Sequence, residues 1–347
     1  MSPEDASKVQ GRQPSMRRVV CFGEVLVDFL AQPPQSPDAS RAFIEYAGGA
    51  PANVAVAVTQ LGGRADFVGM TGADMFGDFL HDSLRKAGVG TDGLVRTDAA
   101  RTALAFVQLD EHGERSFSFY RPPATDLLFE VGHFRPDFCL DAAAFHVCSN
   151  SLTEAAIAES TLQAIARAQA AGALVSIDLN LRPALWPRDA DPHPRLWAAL
   201  LQADLVKLAR VELEYLAAPL GGEAAVLQRL WQGRARAVIV TDGSEPIRWF
   251  TRDADGMVPS FRVRAVDTTA AGDAFVGGLL FHLAQQDVDA ARFGDFIGDT
   301  AALEDALRFA AAVGGLAVTR PGAFAAMPAL DEVRQLLREQ YDHAALL

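Results

Sequence analysis

From residue 143 to residue 241 the chain alternates short apolar runs with longer amphipathic stretches, and this rhythm restricts it to one class of fold. The runs at 143–148, 173–178, 204–208 and 236–241 read as strands, and 154–171, 194–202, 211–217 and 222–232 carry helical spacing. The same order begins earlier, with a strand over Arg18–Leu30, a helix over Ala52–Leu61, a strand over Ala65–Met70 and a helix over Met75–Ala87. Strands joined through helices run parallel, and continuously apolar strands need cover on both faces. The pattern predicts an α/β fold: a doubly wound, mainly parallel sheet flanked by helices.

One segment interrupts it. Thr102–Leu109 and Arg115–Tyr120 alternate polar and apolar residues across Asp110-Glu111-His112-Gly113, which reads as a hairpin. With Phe43–Tyr46 it predicts a small sheet, a lid drawn from about 31–47 and 101–125 and hinged near Gly48-Gly49, able to close over a substrate. Residues 1–16 are polar and are expected to be a disordered extension, leaving 17–347 as the folded unit.

Charge and cysteine usage exclude several functions. A net charge of −13 argues against nucleic-acid binding, so any phosphate site must be built locally. No stretch is apolar enough for a membrane span. Cys21, Cys139 and Cys148 are widely spaced in apolar runs and read as reduced core thiols of a cytoplasmic protein.

The most informative motif is Arg264-Ala-Val-Asp-Thr-Thr-Ala-Ala-Gly-Asp-Ala-Phe-Val-Gly-Gly-Leu-Leu280. Phe261–Val266 alternates as a strand does, and a helix of small and apolar residues begins at Ala274. Between them a turn of small residues, Thr268 to Gly272, ends in Asp273. A helix entered through small residues offers free N–H groups and the positive end of its dipole to a phosphate. A carboxylate there is either a proton acceptor or a helix cap.

Other candidates carry the same ambiguity. Glu24 and Asp28 lie on one side of the first strand, and Asp28 reads as an acceptor for two sugar hydroxyls or as a salt bridge or cap. Gly48-Gly49-Ala50-Pro51-Ala52-Asn53 allows close backbone approach and places an amide in a first helical turn, or is a plain turn. Asp178, Asn180 and Arg182 alternate at a strand end, as an oxyanion site or a surface ion pair. Thr241-Asp242-Gly243 ends another strand and could face a nucleotide. The P-loop and dinucleotide glycine fingerprints, zinc spacings and the G-x-S-x-G elbow are all missing, which disfavours a dinucleotide oxidoreductase.

AVDTTAAGDAF and GGAPANVA together resemble the ribokinase family of sugar kinases, over about Val19 to Met327. TALAFVQLDEHGERSFSFYRPPATDLLF, SIDLNLRPALWP and VELEYL look most like the fructokinases within it. The resemblance implies a ribokinase-like fold and ATP-dependent phosphorylation of a sugar's primary hydroxyl, with Mg²⁺ on the nucleotide; fructose would give fructose 6-phosphate. By resemblance Asp273 is the base, and Ala270, Ala271, Gly272 and Asp273 form the anion hole. Asp28, Gly48, Gly49, Asn53, Arg121, Asn180 and Arg182 would meet the sugar and phosphates, and Thr241, Gly243 and Gly272 the nucleotide. Glu212 would act on Mg²⁺ through water, and Asp267, Thr269 and Gly322 fall where many members hold K⁺. Lids of this kind often pair two subunits, so a homodimer is expected.

Three positions depart from the family pattern. Ala270 and Pro246 stand where glycine is usual, and Ala209 replaces the Asn of an Asn-x-x-Glu motif. A 2-keto-3-deoxygluconate kinase, with Arg121 or Arg182 on the acid, is the rival within the same chemistry. A non-catalytic sugar-binding regulator is the rival outside it.

Overall fold

The computed structural model describes residues 16–32, 36, 40–109, 115–121 and 123–344. The expected extension up to residue 15 and the Asp110–Gly113 turn lie outside them, whereas Met16 packs against the core.

In chain order the elements are β1 (Arg18–Phe22), β2 (Leu26–Ala31), β3 (Phe43–Gly48), α1 (Ala50–Gln60), β4 (Ala65–Gly72), α2 (Met75–Lys86) and β5 (Gly90–Thr97). There follow β6 (Leu104–Leu109), β7 (Arg115–Tyr120), β8 (Ala142–Cys148), α3 (Ala155–Ala170), β9 (Leu174–Asp178), α4 (His193–Leu200), β10 (Leu205–Ala209), α5 (Arg210–Ala217) and α6 (Glu223–Gln232). The rest are β11 (Ala237–Thr241), β12 (Ile247–Phe250), β13 (Asp255–Val258), α7 (Ala271–Gln285), α8 (Phe293–Gly298), α9 (Thr300–Ala317) and α10 (Leu330–Ala344).

Nine strands form the large sheet in the order β13-β12-β11-β10-β9-β8-β1-β4-β5. It is parallel from β11 to β5, and β12 and β13 add an antiparallel edge. Successive residues of β1 feed opposite cores: Val19 and Cys21 belong to the core that includes α1, α7 and α9, while Val20 and Phe22 belong to the one that includes α3 to α6, Phe22 meeting Phe129, Phe134 and Phe145. That two-sided burial is why the run is apolar throughout rather than alternating. The doubly wound expectation therefore holds. The chain winds outward from β1 through β4 to β5, then returns beside β1 as β8 and winds the other way. A crevice opens at the carboxyl ends of strands where such an order reverses, and ligands bind there.

A second sheet, β3-β2-β6-β7, stands apart from the first. The expected hairpin pairs Leu104 with Tyr120 through Leu109 with Arg115. β2 runs parallel to β6 and antiparallel to β3.

Several boundaries differ from expectation. The single strand read over Arg18–Leu30 breaks at Gly23 (φ +148°), so β1 and β2 belong to different sheets. A Cβ at Gly23 would come within 2.7 Å of Pro51 and 2.8 Å of Ser151, so the break packs too closely for a side chain. Phe261–Val266 forms no strand; the N–H groups of Val266 and Asp267 instead donate to the Val318 carbonyl beyond α9. α7 begins at Ala271, three residues before the position read from sequence. β5, β12, β13 and helices α8 to α10 had no counterpart in the sequence reading.

Candidate active site

Two cavities meet at the amino end of α7. The first, about 560 Å³, is lined by Glu24, Asp28, Gly49, Asn53, Asn180, Arg182, Thr269, Ala270 and Asp273, among others. The second, about 480 Å³, is lined by Thr241, Gly243, Ala271, Gly272, Phe275 and Gly314, among others. Thr268 borders both. One face of the turn thus serves each cavity, with Asp273 in the first and the amide-bearing residues Ala271 and Gly272 in the second.

Local backbone geometry builds this turn. Ala270 precedes α7 in the left-handed region (φ 58°, ψ 11°) and makes no side-chain cap. The first N–H groups of the helix therefore have no side-chain acceptor at their cap, and beyond a long Ala271 N–H bond to the Thr268 carbonyl at 3.5 Å this end of the helix suits an anion. α7 itself is buried along its length because it crosses α1 and α9 at glycines: a Cβ on Gly277 would strike Ala57, and one on Gly278 would lie 2.8 Å from Val313.

Asp273 lies in the first turn of α7 and is 7% exposed. Asn53 Nδ2, from the first turn of α1, donates to its Oδ2 at 2.7 Å, and Asn180 Nδ2 donates to its Oδ1 at 3.1 Å. Burial raises the Asp273 carboxyl from 3.8 to about 7; the Asn53 bond opposes that rise, nearby Asp178 adds to it, and Arg182 and Lys207 oppose it. A carboxylate poised near neutrality, fixed by two amides and open to a cavity, has the properties of a general base. It does not act as the cap of α7.

The other residues read from sequence divide clearly. Asp28 lies on β2 and faces the first cavity, with Gly48 behind it; a side chain on Gly48 would collide with the Asp28 carboxylate. Gly49 (φ +111°) precedes α1, where a Cβ would lie 2.8 Å from Val25 Cα. Asn180 adopts φ 41°, which breaks the alternation expected after β9. Asn180 and Arg182 consequently reach the cavity while Asp178 turns inward, so the three do not share one face. Arg182 is exposed at the rim and donates to the Leu181 carbonyl.

Arg121 is not brought into either cavity. It is buried, paired with Asp126 at 2.5 Å, and donates to the Asn150 carbonyl at 2.9 Å. Glu212 is also buried; its Oε1 accepts the Leu181 N–H at 2.8 Å and its Oε2 the Ala209 N–H at 2.7 Å. It thereby caps α5, whose leading residue Ala209 has no side-chain acceptor of its own. Asp267, Thr269 and Gly322 are brought together, with Asp267 Oδ1 accepting from Thr269 N at 2.7 Å and Oδ2 from Gly322 N at 3.0 Å. Among the described residues no group of three or more His, Cys, Asp or Glu side chains could hold a metal.

Sequence reasoning missed Lys207, which pairs with Asp178 beneath the site, and Asn150, whose Nδ2 donates to Glu24 Oε1 at 2.9 Å in the first cavity. Glu24 also accepts the Ala50 N–H at 3.2 Å, and burial raises its carboxyl above the usual range. Its place in an apolar run was the available signal, since a buried carboxylate needs partners.

The model for pfkB family carbohydrate kinases matches residues 16–330. The chain belongs to the pfkB family of carbohydrate kinases. This pfkB kinase is 42% identical over 327 residues to Fructokinase-1 of Oryza sativa subsp. japonica, covering 92% of this chain and 97% of that one. It is similar to the structure of a fructokinase with bound ATP from Xylella fastidiosa, at 60% identity and a TM-score of 0.90, over 94% of this chain and 99% of that one. It also resembles a Vibrio cholerae O395 fructokinase in fructose, ADP and calcium ion bound form, at 34% identity and a TM-score of 0.81, over 93% and 99% of the two chains. No helix among the described residues is long and apolar enough to cross a membrane.

Proposed function

We propose that this carbohydrate kinase is an ATP-dependent fructokinase, converting fructose and ATP to fructose 6-phosphate and ADP. The observation that carries the reading is the junction of two cavities at the α7 amino end, one holding a carboxylate with a raised proton affinity and the other a row of backbone donors. Sugar fits the first cavity, where Asp28, Asn53, Asn180 and the Gly49 backbone supply acceptors and donors for hydroxyls. ATP fits the second, whose lining between Phe261, Phe275 and Val318 is largely apolar. The attacking hydroxyl oxygen bonds to the γ-phosphorus as the bond to the ADP oxygen breaks. Asp273 takes the hydroxyl proton, and the α7 amides and the Arg182 guanidinium offset the charge on the transferred group.

Glu212 would reach a Mg²⁺–triphosphate only through water, because it lines neither cavity and both its oxygens already accept backbone N–H groups, while the α7 amides would donate to the phosphate oxygens themselves. When bound, Mg²⁺ supplies charge neutralisation on the phosphates. K⁺ would take carbonyl oxygens around Asp267, Thr269 and Gly322, whose turn the Asp267 carboxylate already organises. The second sheet is proposed as a lid (about 31–47 and 101–125) on the folded unit 17–347, and as the surface that pairs two copies. Three buried free thiols favour a reducing, cytoplasmic compartment.

A 2-keto-3-deoxygluconate kinase is the second reading. Of the two arginines offered for its acid group, only Arg182 borders the cavity. ADP release measured with fructose, ribose and ketodeoxygluconate, with and without K⁺, tests the proposal. Fructose should give the highest kcat/KM; preference for the acid overturns the fructose assignment, and sugar binding with no ADP release from any substrate favours a regulator.

A further inference from the structure

Lys207 projects from the middle of β10 into the interior and is 7% exposed. Its Nζ donates to Asp178 Oδ1 at 3.1 Å and Oδ2 at 3.0 Å. A Cβ added to Gly272 would lie 3.0 Å from that Nζ and 3.8 Å from Asp178 Oδ2. The ion pair therefore stands directly behind the first turn of α7, yet neither of its side chains lines a cavity.

That placement is costly. A helix amino end is already positive, so a buried ammonium beside it is repelled and has also lost its hydration. Apolar residues of similar volume would fill the same space more cheaply. The carboxylates of Asp178, Glu212 and Asp273 outweigh that cost and hold the ammonium above its usual pKa. An anion on the far side of the turn adds to their attraction, since the ammonium and the amides then draw it together.

We propose that Lys207 is a positioning residue for phosphoryl transfer: its ammonium, locked by Asp178 behind Gly272, strengthens the positive potential of the α7 amides toward the transferred phosphate. The inference rests on the kinase reading above. Asp178 is the counter-charge that makes the buried cation tolerable. It also faces Asp273, so the two members of the pair push the base in opposite directions.

The groups facing Asp273 come from four elements. They are Asn53 on α1, the Cys148 thiol on β8, Asp178 with Asn180 and Arg182 at the end of β9, and Lys207 on β10. Glu212 on α5 also acts on Lys207. His146, bonded to Ser176 further along the sheet at 3.1 Å, has its pKa lowered to about 4 by burial and is neutral at physiological pH.

The test compares Lys207→Met, Asp178→Asn and the double variant with the wild-type chain, all with ATP and sugar. Lys207→Met strands a buried carboxylate, so the double variant, which removes both charges at once, is the deciding protein. Its kcat should fall about tenfold or more, as loss of a phosphate-stabilising group does, with sugar KM within about twofold of wild type. Its acid limb in the kcat/KM profile should stay near the wild-type position. Lys207→Met should move that limb to higher pH and Asp178→Asn to lower pH, a pair of opposite shifts that loosened packing would not produce. Wild-type kcat and ATP KM in the folded double variant would overturn the inference. Absence of sugar-dependent ADP release from the wild type would instead overturn the kinase reading.

Discussion

Replacing Asp273 with Asn should lower turnover by orders of magnitude and stabilise the protein, and the pH dependence of that stabilisation is the informative part. Burial lifts the Asp273 carboxyl from 3.8 to about 7. The folded chain therefore binds this proton more tightly than the unfolded chain. The stability that the tighter binding contributes is complete below pH 3.8 and is lost as pH rises toward 7. A shift of about 3 units corresponds to roughly 4 kcal/mol at full ionisation. Asn at 273 never ionises, so the variant escapes that loss.

The gain is reduced because an amide cannot accept at both of its atoms. Asn53 Nδ2 and Asn180 Nδ2 both donate to the carboxylate, and one of them would face an N–H₂ group. Asn53 can flip to meet it, since its Oδ1 is buried without a partner. The flip leaves a donor unpaired, and that costs about 1–2 kcal/mol. The expected net gain is about 2–3 kcal/mol at pH 8, which for a chain of 347 residues is a rise of roughly 3–4 °C in Tm. At pH 4.5 the gain should vanish. Thermal melts of both proteins from pH 4.5 to 8.5 measure it, and the difference between them cancels the contributions of Glu24 and Glu212, which burial also raises. Turnover should fall by about 10²–10⁴-fold, with sugar affinity little changed. A pH-independent difference in Tm would refute the argument, as would a wild-type kcat/KM profile whose acid limb has its midpoint near 4.

Three further changes test other parts of the site. Ala270→Gly relieves a left-handed alanine (φ 58°) and should raise the urea midpoint by the equivalent of about 0.5–1 kcal/mol after the glycine entropy is subtracted; an unchanged or lower midpoint would show that the turn is not strained. Gly48→Ala forces a methyl group onto the Asp28 carboxylate, so KM for sugar should rise at least about tenfold with KM for ATP unchanged, and equal effects on both would remove Asp28 from the sugar site. Gly315→Leu has room at its Cβ, 3.5 Å from Phe261 Cβ, and should extend into the second cavity; KM for ATP should rise while sugar binding by calorimetry is preserved.

Elements buried on both faces were legible in the sequence because their periodicity is local: β8 to β11 and the helices between them fall within a few residues of the positions read. The amino end of α7 was legible for the same reason, since a small-residue turn followed by a carboxylate lies within one short run. What escaped depends on partners far away in the chain. The Gly23 break is hard to read in a run that is apolar on both sides of Gly23-Glu24, because one glycine and one carboxylate do not show that the chain changes sheets there. Arg121 reads as a flap residue until Asp126 is known to bury it. Lys207 looks like an ordinary polar position in a strand until Asp178 closes on it from 29 residues earlier, and Asp273 meets Asn53 from 220 residues away. Burial of a charged side chain is decided by its compensating partner, and in an α/β sheet that partner lies on another strand or helix. The ends of adjacent strands are thus where single-sequence reading loses most, and they are also where this fold assembles its chemistry.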